Sequence, residues 1–367
     1  MKKNKNFVGI VVLFWNDSEK TIKCLDSIFK QKKVKFNLIL VDNNSEEVFR
    51  KRIINWLNNN NIKINYVKNR KFNSNIFSRK KNFFYIKNKI NYGCGLGHNP
   101  GYYFCLKNNF KYIARIDNDM CLPNNLIYQL TKRLENNKHI IALSPKVMFS
   151  DKPNLIWFRG ATIGYNLKFQ KQCANYDPGH IDRKVFKGLK NTDAIVGCAS
   201  VMRAKNLQEA GLSDPDFFYG EEDIELSCRL LKTKGDLYMD LNEKIFHAVS
   251  HTVGKNWAKN VYYNYKYRLL LVKKIGTFWD KFFGYLIPII KLIISIFFCF
   301  NRKHSSKILQ RYYGIKHFYQ NKYGSYDRKN FNKINSFFIS INKKTNIMEI
   351  IKLLSKNKKI FKHNVKF

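Results

Sequence analysis

KYIARIDND, residues 111–119, is a short apolar run that ends in two acids separated by a single asparagine. Residues 112–116 have the composition of a buried strand. In an extended segment, residues two apart point to the same side. Asp117 and Asp119 can therefore face one small volume just past the strand end. Open α/β sheets hold their ligands at that place. Hard carboxylate oxygens there suit Mg²⁺ or Mn²⁺, with a diphosphate completing the coordination. Paired surface acids at strand-to-loop corners are common, so this pair gains its meaning from its surroundings.

N-terminal to this stretch the chain alternates strand and helix patterns. Residues 7–14 form a continuous apolar run of strand length, as expected of a strand buried on both faces. Asn16, Asp17 and Ser18 offer helix caps, and Ile22, Leu25, Ile28 and Phe29 recur at helical spacing. A second strand, FNLILV at residues 36–41, ends in Asp42, at the same sheet edge as Asn16 if the βαβ unit has its usual hand. A carboxylate at that place can serve a nucleoside, and it can equally cap a turn. No G-x-G-x-x-G follows the first strand, which argues against a nicotinamide or flavin cofactor. A helix over residues 46–59 is expected to turn Val48, Phe49, Ile53, Trp56 and Leu57 inward, with a strand over residues 62–67 after it. Residues 68–82 read as a solvated basic excursion, and residues 83–86 as resuming or replacing the third strand.

Between that strand and the acidic pair lies a glycine-rich segment in which Asn91, Gly93, Gly95, Gly97 and Asn99 alternate with other residues. Glycines so spaced let backbone N–H groups approach a ligand, and the helix that follows presents its positive end to anionic oxygens. The G-K-[ST] ending of a Walker loop is missing. One helix before Asp117, the segment reads best as a cradle for a sugar diphosphate.

In the second half, residues 193–202 are expected to form a strand. Phe217, Phe218 and Tyr219 anchor a loop, and Glu221, Glu222, Asp223 and Glu225 crowd the start of a helix ending near Lys232. Acids in a first turn match the helix dipole. Four beside an aromatic anchor repel one another unless a cation or a shared proton offsets them. A carboxylate here can act as a general base. His247 follows an apolar strand, and its imidazole can complete a metal site with Asp119, although a lone histidine is more often structural.

The succession FWND, VDNNS, NYGCGLGHNPG, IDNDM, TDAIVGCASVMR, FFYGEEDIEL and KIFHAVSHTVG resembles, in order, family 2 glycosyltransferases of the GT-A fold, the branch containing bacterial rhamnosyl- and galactosyltransferases. The resemblance covers residues 7–275. It implies an α/β fold with a Rossmann-like nucleotide-binding sheet and an acceptor-binding half. It also implies that Asp42 binds the base, that Asp117 and Asp119 hold the ribose and the metal-diphosphate, and that Glu222 and Asp223 lie on the acceptor side. The family places a histidine at the position of His247. Asn16, Asp42, Asn91, Gly95, Asn99 and Asp117 are thus the expected nucleotide-sugar contacts; Asp119, Asp117 and His247 the expected metal ligands; and Asp223, with Glu222 as the alternative, the expected base. Residues 150–190 match no pattern of the family.

Composition frames these expectations. A 367-residue chain with 45% hydrophobic and 15% aromatic residues can bury a substantial core. Its formal net charge of +41 points to phosphate-rich or anionic-lipid partners, or to a compositional bias shared by Lys and Asn. Eight scattered cysteines without a C-x-x-C pair suit reduced thiols in the cytosol. No helix-turn-helix, zinc or RNP signature accompanies the charge, so no nucleic acid is expected as a partner.

Residues 262–275 read as a basic aromatic helix and residues 282–300 as a nineteen-residue apolar run carrying Lys291 and Pro288. A central lysine costs about 3 kcal/mol on insertion, so a helix lying in the membrane interface is the more economical reading. The expected layout is a catalytic domain over residues 1–255, a helical membrane-associated region over 256–324 and a basic tail over 325–367. The whole is expected to sit peripherally on the cytoplasmic face of the cell membrane and to glycosylate a glycan or glycolipid acceptor.

Overall fold

The computed structural model describes residues 8–67, 82–165, 171–175, 179–248, 257–297 and 302–323. The chain divides into two compact units. One comprises residues 1–164, 172–215 and 222–249; the other comprises residues 165–171, 216–221 and 250–367.

The first unit begins with β1 (Val8–Phe14), α1 (Ser18–Phe29), β2 (Phe36–Asp42), α2 (Glu47–Asn59), β3 (Ile64–Tyr66), β4 (Asn82–Lys87), α3 (Cys94–Lys107) and β5 (Tyr112–Asp117). It continues with β6 (Met120–Cys121), α4 (Leu126–Asn136), β7 (Ile140–Phe149), β8 (Ile156–Phe158), β9 (Ala161–Tyr165), β10 (Lys171–Asn175), β11 (Leu189–Asn191), β12 (Ala199–Arg203), α5 (Ala204–Ala210), α6 (Glu222–Leu231) and β13 (Asp236–His247). The main sheet runs β11-β13-β7-β12-β5-β1-β2-β4-β3, with β6 on β13 and β8 on β7. β1 pairs in parallel with both β2 and β5, whereas β12 is antiparallel to β5 and β7. Every residue of β1 and β2 is buried, as expected of strands covered on both faces.

Register carries the sheet to the site. Phe14 sits beside Asp42 and Leu13 beside Asp117, so both acids reach the same carboxyl edge. α1 starts where Asp17 accepts the Lys20 N–H. It then steadies the acidic turn through the Asn118 amide, which donates to Thr21 Oγ1 at 2.9 Å. α3 lies so close on the strands that a Cβ at Gly101 would stand 2.4 Å from Val11 Cγ1 and 3.1 Å from Val41 Cγ2.

Several sequence expectations are corrected. The helix begins at Cys94, so Gly95 and Gly97 lie within α3 instead of in an open loop. The strand expected over residues 193–202 is confined to Ala199–Arg203, because Thr192 and Asp193 turn aside to bond Ala161 and Ile163. Residues 82–87 form a strand of their own between β2 and β3. Val48, expected inward, is exposed in the first turn of α2. The excursion after residue 67, His251 and the tail beyond residue 323 lie outside the described residues.

The second unit contains α7 (Trp257–Ile275), α8 (Phe278–Phe297) and α9 (Arg302–Tyr319). α7 and α9 meet closely where Gly314 lacks a side chain, since a Cβ there would be 2.7 Å from the Tyr262 carbonyl. Phe218 stacks on Tyr263 of α7, while Phe217 and Tyr219 meet Tyr267 and Tyr263 at a tilt; Phe217 is the buried anchor of the loop and Tyr219 is exposed. Among the described residues no helix is long and apolar enough to cross a membrane.

The Gly101 contact yields a test of the sheet-to-helix fit. Gly101→Ala should cost about 1–3 kcal/mol by overpacking, seen as a lower urea midpoint with an unchanged m-value. An unaltered midpoint would contradict the close approach of α3 to β1.

Candidate active site

Three elements converge at the carboxyl edge of β5. The strand delivers Asp117, the turn after it delivers Asp119, and the first turn of α6 delivers Glu222 and Asp223. Between them, within β5 itself, lies Arg115, only 3% exposed. Its Nη2 is 3.4 Å from Glu222 Oε1 and its Nε is 3.8 Å from Asp117 Oδ1. The space for this guanidinium exists because residue 197 is glycine: a Cβ there would lie 2.7 Å from Arg115 Nη2.

The carboxylates differ in what holds them. Glu222 is buried against Arg115, and its Oε2 has no hydrogen-bond partner among the described residues. Burial raises its pKa, repulsion from Asp223 adds to the rise and Arg115 opposes it. Asp223 is less buried. Its Oδ2 accepts the Gly197 N–H at 3.0 Å and its Oδ1 accepts the Ile224 N–H at 2.9 Å. Those bonds fix the carboxylate while leaving lone pairs for another donor. Glu225 is bound by both oxygens to Arg229 at 2.7 Å, a structural pairing. The cation needed to offset the acids is Arg115, with Arg229 serving Glu225.

Asp117 is pushed up to about 6, chiefly by burial, with Arg115 pulling downward and Asp119 adding repulsion. Its side chain is 34% exposed, so water screens part of that effect. His98 lies 3.7 Å away, with Nδ1 donating to the Cys94 carbonyl at 2.6 Å. Burial holds this imidazole well below the ordinary histidine range, so it is neutral.

Asp119 is met from the other side. The antiparallel pairing of β6 with the end of β13 sets His247 beside Met120. His247 Nε2 then stands 3.3 Å from Asp119 Oδ2, and the Trp157 ring packs edge-on against the imidazole at 4.5 Å. Of the three expected metal ligands, two stand directly opposed. Asp119 and His247 face one another, while Asp117 is turned to Arg115 and His98. Among the described residues no three His, Cys, Asp or Glu side chains form a ready metal cluster. A carboxylate and an imidazole still fit a divalent cation whose other positions are filled by ligand oxygens. His247 Nδ1 is buried with no hydrogen-bond partner among the described residues, so the ring is held by Asp119 on one side and Trp157 on the other.

The expected nucleotide contacts are largely engaged within the protein. Asp42 is fully buried: Oδ1 accepts the Ser45 N–H and Oδ2 accepts the Tyr85 hydroxyl, both at 2.7 Å. The turn-capping alternative weighed for it is the geometry observed. Asn16, at φ 50°, exchanges hydrogen bonds with Glu46. Asn99 spends both amide atoms on the Ser213 backbone, which ties α3 to the segment after α5. Asn91 accepts the Gly93 N–H and the Asn43 amide. Asn43, overlooked in the sequence, is the hub: it also reaches the Gly93 carbonyl and accepts from Asn88 and from the Tyr92 N–H. These bonds shape the entry to α3, where Gly95 is buried in the first turn.

Comparison with known proteins follows from this geometry. The family model described as glycosyl transferase family 2 matches residues 9–208, more than half of the chain. A sequence comparison with curated proteins finds no match. Similar solved structures include GalNAc-T7 with UDP, GalNAc and Mn²⁺, at 15% identity and TM-score 0.49, covering 77% of this chain and 54% of that one. Residues 1–349 of TarS from S. aureus share 10% identity at TM-score 0.47, covering 84% and 72%. The mannosyltransferase PcManGT from Pyrobaculum calidifontis, in complex with GDP-Man and Mn²⁺, shares 10% identity at TM-score 0.49, covering 91% and 85%. The chain thus spans about half the length of the GalNAc-T7 chain, and likenesses this distant fix no substrate. With its parallel β1-β2-β4 and β1-β5 core, the acidic turn after β5 and the family match running from β1 through most of α5, the chain belongs to glycosyl transferase family 2.

Proposed function

We propose that this protein transfers a glycosyl group from a nucleoside-diphosphate sugar to an acceptor hydroxyl, with inversion at the anomeric carbon. The observation that carries the reading is the convergence of Asp117, Glu222 and Asp223 on one buried arginine, with Asp119 close enough to Asp117 to repel it. Asp119 and His247 would hold Mg²⁺ or Mn²⁺, which when bound neutralises charge on a diphosphate. Asp117 lies beside Arg115 and near Asp119, placed to bond a ribose hydroxyl in either protonation state. Asp223 takes the role of general base: its carboxylate is fixed by two backbone N–H groups and accepts the proton of the attacking hydroxyl. Glu222 positions Arg115 and is too enclosed to meet an acceptor. A single displacement needs no covalent intermediate, and no side chain of the cluster has to act as a nucleophile.

Incubation with UDP-, GDP- and dTDP-sugars and Mn²⁺ should release a nucleoside diphosphate. Release of pyrophosphate from a nucleoside triphosphate and a sugar 1-phosphate, with no nucleoside diphosphate formed from the sugar nucleotides, would instead identify a nucleotidyltransferase. Asp223→Asn should lower turnover about 10²–10⁴-fold, the usual worth of a general base, with donor affinity kept. Normal transfer by Asp223→Asn beside an inactive Glu222→Gln would reverse the two roles.

The acceptor is proposed to be a glycan on a lipid, reached from the cytoplasmic leaflet. Support comes from α8, where Trp279, Phe282, Leu286, Ile290 and Ile293 form an exposed apolar stripe at helical spacing. Lys273, Lys274 and Lys281 flank it, and the net charge is +41. An apolar face edged by bases suits a helix lying in an anionic interface. The protein should co-sediment with phosphatidylglycerol vesicles, weaken in high salt, and lose most binding in the Phe282→Asp/Ile290→Asp double variant. Equal recovery of parent and variant with such vesicles would exclude α8 as the docking face.

A further inference from the structure

The face of α8 opposite its apolar stripe lines a cavity of about 180 Å³ inside the second unit. α8 contributes Gly284, Pro288 and Lys291 to its lining and α9 contributes Arg311; α7 contributes Tyr265 and Arg268 beside apolar side chains that include Leu269 and Val272. Three of the lining side chains are cations, and among the described residues no carboxylate lines the cavity. Glu221 lies 3.7 Å from Arg268, whose side chain is half exposed at the mouth. Arg311 is held in place from two sides: one Nη donates to Ser295 Oγ at 2.8 Å, and the guanidinium stacks 5.3 Å from the Tyr265 ring centroid. Its Nε is buried and has no hydrogen-bond partner among the described residues.

An anion entering the cavity meets three cations, of which Arg268 already pairs with Glu221. A guanidinium pinned against an aromatic ring presents its donor edge in a fixed fork, the geometry that matches phosphate oxygens.

We infer that the α7–α8–α9 unit carries a second ligand site, separate from the carboxylate cluster, that binds a terminal phosphoryl group through Arg268, Lys291 and Arg311. The group belongs either to a lipid headgroup or to a soluble phosphate compound. The site does not rest on the glycosyl-transfer reading and holds even if that reading fails.

The full-length protein is tested without divalent metal in two arms. In one, inorganic pyrophosphate is titrated by calorimetry. In the other, vesicles of phosphatidylcholine with phosphatidic acid are compared with vesicles of matched surface charge made with phosphatidylserine, which lacks a terminal phosphoryl group. The Arg268→Gln/Arg311→Gln variant should bind about tenfold more weakly, the loss expected for charge-assisted phosphate contacts, while Asp119→Ala binds as the parent does. Preference for phosphatidic acid that vanishes in the double variant identifies a lipid headgroup. Pyrophosphate binding that vanishes without any vesicle preference identifies a soluble ligand. Absence of both, or binding undiminished in the double variant, overturns the site. Lys291→Gln, tested alone with circular dichroism as a folding control, should weaken the same signal, so that misfolding of the double variant cannot decide the outcome.

Discussion

One buried cation organises the acidic end of the sheet. Arg115 stands in the middle of β5, a strand otherwise apolar up to its terminal acid, with Glu222 at 3.4 Å and Asp117 at 3.8 Å. Without it, three carboxylates from two elements would share one poorly solvated corner, an arrangement that like charges do not tolerate in ionised form. The burden on the arginine is mutual: the surrounding acids raise its own pKa against the cost of its burial. Gly197 leaves the space for the guanidinium, and its N–H fixes Asp223, so one residue serves the cation and the candidate base together.

Much of this was legible in the sequence, and for identifiable reasons. Strands buried on both faces announce themselves as unbroken apolar runs, and the β1-α1-β2 unit followed directly. The two-residue spacing of Asp117 and Asp119 put both acids at one strand end, and β5 ends at Asp117. The crowding of acids at α6 called for a cation. The cation itself was overlooked, although an arginine inside an apolar strand pattern is the anomaly that pointed to it. His98, Asn43 and Trp157 were overlooked because nothing local distinguishes a site histidine, asparagine or tryptophan from a packing one. Asp42 and Asn99 were read as ligand contacts, yet their hydrogen bonds close within the protein, a pairing set by tertiary contacts with Tyr85 and Ser213. The placement of Gly95 inside α3 turned on where a helix starts, the feature that local pattern fixes least.

The second unit shows a related economy in a single helix. α8 turns an apolar stripe to one side and Gly284, Pro288 and Lys291 to the other. Amphipathic patterning alone suggested a surface helix. Its opposite face gained meaning only when α7 and α9 brought Arg268 and Arg311 to the same cavity.

The claim that Arg115 is what lets the carboxylates gather is tested most directly by the pH dependence of stability in Arg115→Met, a neutral side chain of similar length. Asp117 and Glu222 already have raised pKa values in the folded protein, so the folded state binds their protons more tightly than the unfolded chain does. Such groups destabilise the fold as pH rises, and removal of the cation deepens that effect. Urea unfolding at constant ionic strength between about pH 5 and about pH 8 should show a deficit of Arg115→Met against the parent that grows with pH, and Glu222→Gln added to the variant should recover part of it. A deficit equal at every pH would contradict the account, since it would mean that Arg115 contributes packing alone.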